Sequence, residues 1–302
     1  MNYLDIRQVL VKEISGQVRT DEPMANHTTW RIGGPVDLLV VPESTEDVVK
    51  AVKLANAGGI PWVVIGNGSN LLVGDGGIRG MVIQVLGGLN NLNLQGRSIR
   101  AGAGVLLPRL VRKGLEAGLG GLEFAAGIPA AIGGAVAMNA GAHGSSIGNL
   151  VEWVTVVNKS GDKLELARNE LGFAYRYSII PSKELVITEV VLSCPPGSKE
   201  ESEGIIWKNL TRRKETQPLN LPNAGSVFKN PPGHSAGRLI EEVGGKGMRV
   251  GDAQVSYLHA NFIVNLGKAK AQEVLALIEK IRTLVLNQLG IQLELEVKVM
   301  GE

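Results

Sequence analysis

Gly127-Ile128-Pro129-Ala130-Ala131-Ile132-Gly133-Gly134-Ala135-Val136-Ala137-Met138-Asn139-Ala140-Gly141-Ala142-His143-Gly144 carries almost no bulky polar side chain. Such a stretch has two readings. Small residues let the backbone lie flat against a ligand and present N–H and C=O groups without hindrance. The same residues also suit a tightly packed helix. Interior glycine costs a helix about 1 kcal/mol per position, which weighs against a helix running throughout. The chain as a whole holds 40 glycines in 302 residues, roughly twice the usual share. They are clustered and aperiodic, so they mark special backbone conformations and exclude a collagen-like repeat.

Upstream lies a second such stretch, Gly66-Asn67-Gly68-Ser69-Asn70, between the apolar runs 61–65 and Leu71-Leu72-Val73. Two glycines permit positive φ, so successive N–H groups can converge on an anion such as a pyrophosphate. A tight hairpin of turn-forming residues is the alternative. No helix follows the loop, so the dinucleotide fingerprint of a Rossmann domain is absent. Ser44 is placed to cap a helix whose first turn carries Glu46 and Asp47, with Val48, Val49, Val52 and Ala55 on one face and Gly58-Gly59 at its end. A strand is expected over 81–85, and a shorter first helix over 3–15 with Leu4, Val9, Leu10 and Ile14 inward. Mixed in this way, helices and strands predict an α+β fold.

Downstream, strands are expected at 152–158, 163–166 and 185–192, and Cys194-Pro195-Pro196-Gly197 has the look of a domain edge. A helix should run from the acidic 199–203 stretch to Arg213, whose neighbours Arg212 and Lys214 suggest a solvated end. Residues 217–234 hold four prolines and form a loop. Helices follow at 235–243 and 270–289, the second with Val274, Leu275, Ile278, Ile281, Leu284 and Val285 on one stripe and Gly290 as its stop. Ile291 to Val299 alternates strictly, which predicts a regular strand with one face buried.

The bulk numbers exclude several classes. A net charge of +2 asks for no nucleic-acid or membrane partner. Cys194 is the one cysteine, so no internal disulfide forms, and a small buried thiol is the simplest reading. The four histidines show no ligand-like spacing, and no metal site is expected. The segment 1–7 lacks the apolar core of a signal peptide, and no run is long enough to span a membrane, so a cytoplasmic protein is expected.

Three polar positions draw attention without being sites on their own. Tyr175-Arg176-Tyr177-Ser178 places a guanidinium among aromatics, suited to clamping a carboxylate or simply to stacking at the surface. Ser226 lies in Gly225-Ser226-Val227-Phe228-Lys229-Asn230-Pro231, where serine is commonly a turn former. Glu296 falls on the polar face of the last strand, between Glu294 and Lys298.

Taken in order, these blocks resemble the UDP-N-acetylenolpyruvoylglucosamine reductase family. The matching stretches are Thr28-Thr29-Trp30-Arg31-Ile32-Gly33-Gly34-Pro35, 66–73, 127–141, 175–178, 224–231 and His259-Ala260-Asn261-Phe262-Ile263-Val264-Asn265. The short link after Arg176 is similar to the type II members. The resemblance implies an N-terminal helix and lead-in over 1–30, then an FAD domain of the vanillyl-alcohol-oxidase (PCMH) type over 31–196. A smaller α+β substrate-binding domain follows over 197–302, its last strand returning to the flavin. It implies non-covalent FAD held by Asn67, Gly68, Ser69, Asn70, Leu71, Gly127, Ile128, Gly133, Gly134, Asn139 and Gly141, with NADPH as electron donor. UDP-N-acetylglucosamine enolpyruvate would be the substrate, contacted by Tyr175, Lys229 and Asn230. Arg176 and a protonated Glu296 would stabilise the charge that develops on its carboxylate, and Ser226 would supply the proton. A monomer acting in cytoplasmic peptidoglycan precursor synthesis is implied. Members commonly carry proline before the catalytic glutamate. Leu295 stands there in this chain and should restore an N–H to the strand ladder. The rival readings are an oxidase on the same FAD fold and a flavin-binding protein without catalysis.

Overall fold

The structure is a computed structural model that describes residues 3–302, with side chains from Asp5 onward. Met1, Asn2 and the Leu4 side chain, assigned above to the lead-in helix, lie outside it. The chain opens with α1 (Tyr3–Glu13), β1 (Gln17–Pro23), β2 (Pro35–Val41), α2 (Thr45–Ala57), β3 (Trp62–Ile65), β4 (Leu71–Val73) and β5 (Ile78–Gln84). It continues through β6 (Leu92–Gln95), β7 (Ser98–Gly102), α3 (Leu107–Glu116), α4 (Ile132–Ala137), β8 (Gly141–Ala142), β9 (Ser145–Ser146), β10 (Val151–Val157), β11 (Lys163–Ala167) and β12 (Val186–Ser193). It closes with α5 (Lys199–Thr216), α6 (Ala236–Glu242), β13 (Arg249–Val250), β14 (Ala253–Val255), β15 (Ile263–Asn265), α7 (Ala271–Leu289) and β16 (Lys298–Met300).

Contacts divide the chain into two units, and neither is continuous in sequence. The first comprises Met1–Asp21, Asp37–Asn67 and Gly80–Thr211; the second comprises Glu22–Val36, Gly68–Arg79 and Arg212–Glu302. The change of unit thus falls inside α5. Cys194–Gly197, read as a domain edge, is instead stitched into the first unit, where Gly120 N–H donates to Pro195 C=O and Gly197 N–H to Gly118 C=O, each at 2.9 Å.

The first unit contains a sheet of order β1-β2-β5-β3 and an antiparallel sheet of order β11-β10-β12-β7-β6. α2 forms as its sequence dictates: Ser44 Oγ accepts from Asp47 N–H at 3.1 Å, and Val48, Ala51, Val52 and Ala55 are buried. Its core also takes Ile6, Leu10, Leu38, Val40, Met81, Ile83, Val154, Val156 and Val190. β3 is less buried than its apolar sequence suggests, with only Ile65 fully inside.

The second unit packs α6 and α7 with β14 and β15 around Trp30, Phe228, Leu239, Val255, Val274, Ile278 and Ile281. Trp30 is fully buried, and its indole N–H donates to Ile263 C=O at 2.9 Å. The α7 stripe is largely as read, with Leu277 more buried than Leu275 or Leu284, and Gly290 closes the helix at φ +69. Its first turn is satisfied from afar: the Asp75 carboxylate accepts from Ala271 and Gln272 N–H, at 2.8 and 3.1 Å.

Two strand expectations need correction. β3 and β4 do not form a hairpin across Gly66–Asn70: β3 pairs in parallel with β5, and β4 pairs in parallel with β16, Leu71 opposite Lys298. The strictly alternating tail is not one strand either. Only Lys298–Met300 is regular, and the preceding residues meet the chain at an isolated bridge between Phe228 and Leu295. The cause is local. Val227 C=O accepts from both Glu296 N–H, at 2.8 Å, and Val297 N–H, at 3.4 Å, so two residues oppose one, as in a β-bulge.

Candidate active site

In the first unit the two glycine-rich stretches meet. Asn67 Nδ2 donates to Pro129 C=O at 2.6 Å, and the missing Cβ of Gly66 would lie 3.3 Å from Ala131 Cβ. The 127–144 stretch combines both of its readings. A short helix, α4, sits in the middle with extended or turning chain on either side. Its opening N–H groups are already used, Ile132 donating to Val105 C=O and Gly133 to Ala103 C=O. A Cβ on Gly133 would come within 2.8 Å of Ala103 Cβ, so this glycine serves packing. Gly134 differs, because among the described residues nothing lies within 4 Å of where its Cβ would be. Its smallness is not demanded by neighbours, and the space beside it is open. Gly141 returns to packing, since a Cβ there would strike Ser145 C=O in the β8–β9 hairpin. Gly127 and Ile128 are half-buried beside them, and Ile128 N–H bonds back to Ala125 C=O.

Asn139 spends both ends of its side chain on the protein. Nδ2 donates to Ala174 C=O at 2.8 Å, and Oδ1 accepts from Gly148 N–H at 3.1 Å. Ala174 and Tyr177 in turn exchange two backbone hydrogen bonds, each 3.1 Å, which makes Tyr175-Arg176 the tip of a tight hairpin. Arg176 adopts φ +54, an uncommon left-handed conformation for a side-chain-bearing residue. Its guanidinium lies 5.3 Å from the centre of the Tyr175 ring, and Ser178 Oγ anchors the base of the hairpin on Ala137 C=O at 2.7 Å. Backbone strain held by surrounding contacts is a common mark of a functional position.

In the second unit the remaining expected residues come together. Gly68 has φ +61, and any Cβ there would collide with His27 C=O, so the loop passes tightly over the Thr28 segment. Thr29 N–H donates to Gly68 C=O at 3.3 Å. Ser69 and Asn70 are half-buried, and Leu71 opens β4. Asn70 reaches the tail from both of its polar ends: its Nδ2 donates to Glu296 C=O at 3.0 Å, and its own C=O accepts from Lys298 N–H at 2.9 Å. Glu296 is therefore gripped on both sides of its Cα, by Val227 and by Asn70.

Val227 follows Ser226, so the candidate hydroxyl and carboxyl stand on adjoining, hydrogen-bonded segments. Beyond them, Lys229 N–H donates to Glu294 C=O at 2.9 Å, and Lys229 Nζ lies 3.3 Å from Glu294 Oε2. That ion pair is solvent-exposed and contributes little to stability. Asn230 Oδ1 accepts from Ala236 N–H at 3.0 Å and so satisfies the start of α6, where the Ser235 side chain makes no capping bond. Leu295 faces Phe228 between the bonds from Lys229 and Glu296, at a non-hydrogen-bonded position. Its N–H is thus not part of this ladder, contrary to the sequence expectation, and a proline fits there without loss of a rung.

Asn261 has a role that its sequence context does not display. Its side-chain amide is paired with the Phe228 backbone, Oδ1 accepting from Phe228 N–H at 2.9 Å and Nδ2 donating to Phe228 C=O at 2.8 Å. Its own C=O accepts from Val227 N–H at 2.8 Å. The signal the sequence offers is an asparagine set among the apolar residues of 259–265. Next to it, His259 Nδ1 accepts from Asn261 N–H at 3.2 Å. Burial, aided by nearby Lys246, holds the His259 pKa below its ordinary value, which favours the neutral ring able to accept.

Other groups are accounted for more simply. Cys194 is fully buried and its thiol is pushed up to about 11, first by desolvation and then by Glu123, which suits a packing residue and not a nucleophile. Arg213 is not a solvated helix end. It is half-buried, its pKa is lowered by desolvation, and Nε donates to Gln217 at 3.0 Å. Among the described residues no group of three or more His, Cys, Asp or Glu is arranged to hold a metal ion.

Residues 36–167 match the family described as FAD binding domain. With the relatives that follow, this domain defines a flavin-dependent oxidoreductase. Residues 217–300 match the UDP-N-acetylenolpyruvoylglucosamine reductase C-terminal domain. A UDP-N-acetylenolpyruvoylglucosamine reductase of Moorella thermoacetica is 51% identical over 286 residues, covering 95% of this chain and 94% of that protein. One from Heliobacterium modesticaldum is 48% identical, covering 97% and 94%. The crystal structure of the UDP-N-acetylenolpyruvylglucosamine reductase of Thermus caldophilus superposes with a TM-score of 0.82 at 42% identity, over 94% of this chain and 99% of that one. An alkyldihydroxyacetonephosphate synthase, 20% identical with a TM-score of 0.51 over 65% of this chain, shares the fold alone. The chain belongs to the UDP-N-acetylenolpyruvoylglucosamine reductase family.

Proposed function

We propose that the chain reduces the enolpyruvyl ether of UDP-N-acetylglucosamine to UDP-N-acetylmuramate, with NADPH as the electron source, in peptidoglycan precursor synthesis. The observation that carries this reading is the Val227 carbonyl, which joins the Ser226 segment to Glu296 inside the family-matched C-terminal region. FAD, bound non-covalently, supplies the hydride that the substrate receives at its methylene carbon. Asn67, Gly68, Ser69, Asn70, Leu71, Gly127, Ile128, Gly133, Gly134 and Gly141 line or shape the cofactor surface. Asn139 contributes indirectly, through the backbone it ties down.

Addition of hydride to the methylene carbon pushes the double-bond electrons into the neighbouring carboxylate as an aci-anion. Arg176 stabilises that charge as a fixed guanidinium, and Glu296, as an acid, donates to an oxygen of the same group. Ser226 Oγ then gives its proton to the adjoining carbon, which completes saturation of the bond. Tyr175, Lys229 and Asn230 contact the substrate around these groups. The flavin contacts fall within 31–196, and those to the substrate within 197–302 together with Tyr175 and Arg176.

We place the enzyme in the cytoplasm, where NADPH and UDP-sugars are made, and as a monomer. Among the described residues no helix is long and apolar enough to cross a membrane, and each unit has its own core. The test is the visible spectrum of the purified protein. Anaerobic NADPH should bleach a yellow flavin spectrum, and the enolpyruvyl substrate alone should restore it. Restoration by oxygen alone, or absence of any bindable flavin, would overturn the reading.

A further inference from the structure

We propose that Asn261 is a positioning residue that sets the Ser226 hydroxyl and the Glu296 carboxyl in register for proton delivery. The proposal rests on the site reading above. Phe228 sits in a segment that pairs with the 294–296 tail along one edge. On that edge Lys229 and Glu296 bond across to Glu294 and Val227. In an antiparallel pair the backbone N–H and C=O of Phe228 must then point to the opposite edge. Among the described residues no strand pairs with that edge. The side-chain amide of Asn261 takes both groups, at 2.9 and 2.8 Å, and so imitates the missing strand.

The consequence reaches both reacting groups. Val227 is tied to Asn261 C=O through its N–H and to Glu296 and Val297 through its C=O. A shift of Phe228 therefore moves Val227, and with it the residue before it, Ser226, and the residue bonded to it, Glu296. Asn261 is 4% exposed and Phe228 is 1% exposed, so water cannot substitute for the lost bonds without repacking. Neither the substrate nor the cofactor has to touch Asn261 for it to matter.

Asn261→Asp and Asn261→Ser are the informative variants, with Ser226→Ala run beside them. An ionised aspartate keeps the acceptor for Phe228 N–H but turns a second acceptor towards Phe228 C=O; once protonated, it restores the donor. Serine offers one hydroxyl for two partners. Both variants should hold flavin and be reduced by NADPH within about twofold of the parent rate, with the substrate KM little changed. Reoxidation of the reduced enzyme by the enolpyruvyl substrate should slow about tenfold to a hundredfold, the usual effect of misplacing groups by an ångström or less.

Amide hydrogen exchange over 226–230 should rise in both variants. In Asn261→Asp alone, the rate relative to the parent at the same pH should recover as pH falls and the buried carboxyl is protonated. A normal reoxidation rate despite raised exchange would overturn the proposal. So would parallel loss of both half-reactions with melting temperature, or loss of flavin from both variants, since Asn261 would then support only the fold. If Ser226→Ala reoxidises at the parent rate, the site reading itself fails, whatever the Asn261 variants do. If Ser226→Ala is slow and the Asn261 variants are normal, only the positioning role fails.

Discussion

Arg176 and Glu296 are presented by opposite kinds of backbone. Arg176 rides the tip of a two-residue turn, between Tyr175 and Tyr177, which are 57% and 48% exposed. Glu296 is bracketed by bonds from Val227 and Asn70 in a segment whose neighbour Val297 is 3% exposed. Both nevertheless lean on an asparagine that sequence reading left without a structural role, Asn139 behind the turn and Asn261 behind Phe228. A primary amide offers a donor and an acceptor at the spacing of a peptide group. It can therefore finish a ladder where no further strand exists. The two supports differ in what they hold. Asn139 fixes a base from which a long side chain reaches out, whereas Asn261 fixes the backbone next to the reacting groups.

The largest effect expected on the exposed side is from Arg176→Lys. Lysine keeps the charge but not the planar fork, and both are expected to serve the developing carboxylate anion. Reoxidation by the enolpyruvyl substrate should fall by about 10²- to 10³-fold, the range seen when one transition-state donor is lost. Melting temperature should hardly move, because the side chain sits on a half-exposed tip. Stopped-flow absorbance of the flavin reads the first quantity and a thermal melt the second. A lysine enzyme at near-parent speed would show that Arg176 acts as a point charge, and the contrast with Glu296 would lose its geometric meaning.

Asn139→Ala should have a smaller, mixed effect. It removes the partners of Ala174 C=O and Gly148 N–H, and an orphaned buried group costs about 1–3 kcal/mol. Denaturant unfolding should register that loss. The same reoxidation step should slow by about tenfold through a loosened hairpin. In combination with Arg176→Lys the two losses should not add, because both act through one side chain. Full additivity would separate Asn139 from Arg176 and leave it a role in stability alone.

How much of the structure was legible in the sequence depends on the range over which each cause acts. Ser44 capping α2, the α7 stripe and the Gly290 stop are set by residues within a few turns, and all three are found. The β4–β16 pairing is not local: Asn70 and Glu296 are 226 positions apart, and no periodicity records their contact. The alternation of Ile291 to Val299 reads as a plain strand because a bulge is made by its partner, here the single carbonyl of Val227. Asn67, Asn139 and Asn230 were read as ligand contacts, and each has at least one amide end bonded to protein backbone. An asparagine in a glycine-rich loop looks the same from sequence whether it serves a ligand or the loop.

The smallest effect expected is the sharpest check on the paired side. Leu295→Pro puts back the residue common in the family at a position where the ladder uses no N–H. Proline in the interior of a regular strand removes a ladder bond and is seldom found there. Here the bonds lie one residue to either side, at Glu294 C=O and Glu296 N–H, and both survive the change. Leu295 is only half-buried, so the loss of apolar contact is partial. Stability should therefore change by less than about 1 kcal/mol in denaturant unfolding, and reoxidation by substrate should stay within about twofold of the parent. A loss of several kcal/mol would mean that Leu295 N–H carries a bond after all. The register of Phe228 against the tail would then be shifted by one residue. Such a shift would exchange the faces of Glu294, Leu295 and Glu296, and the pairing of Val227 with Glu296 would fall with it.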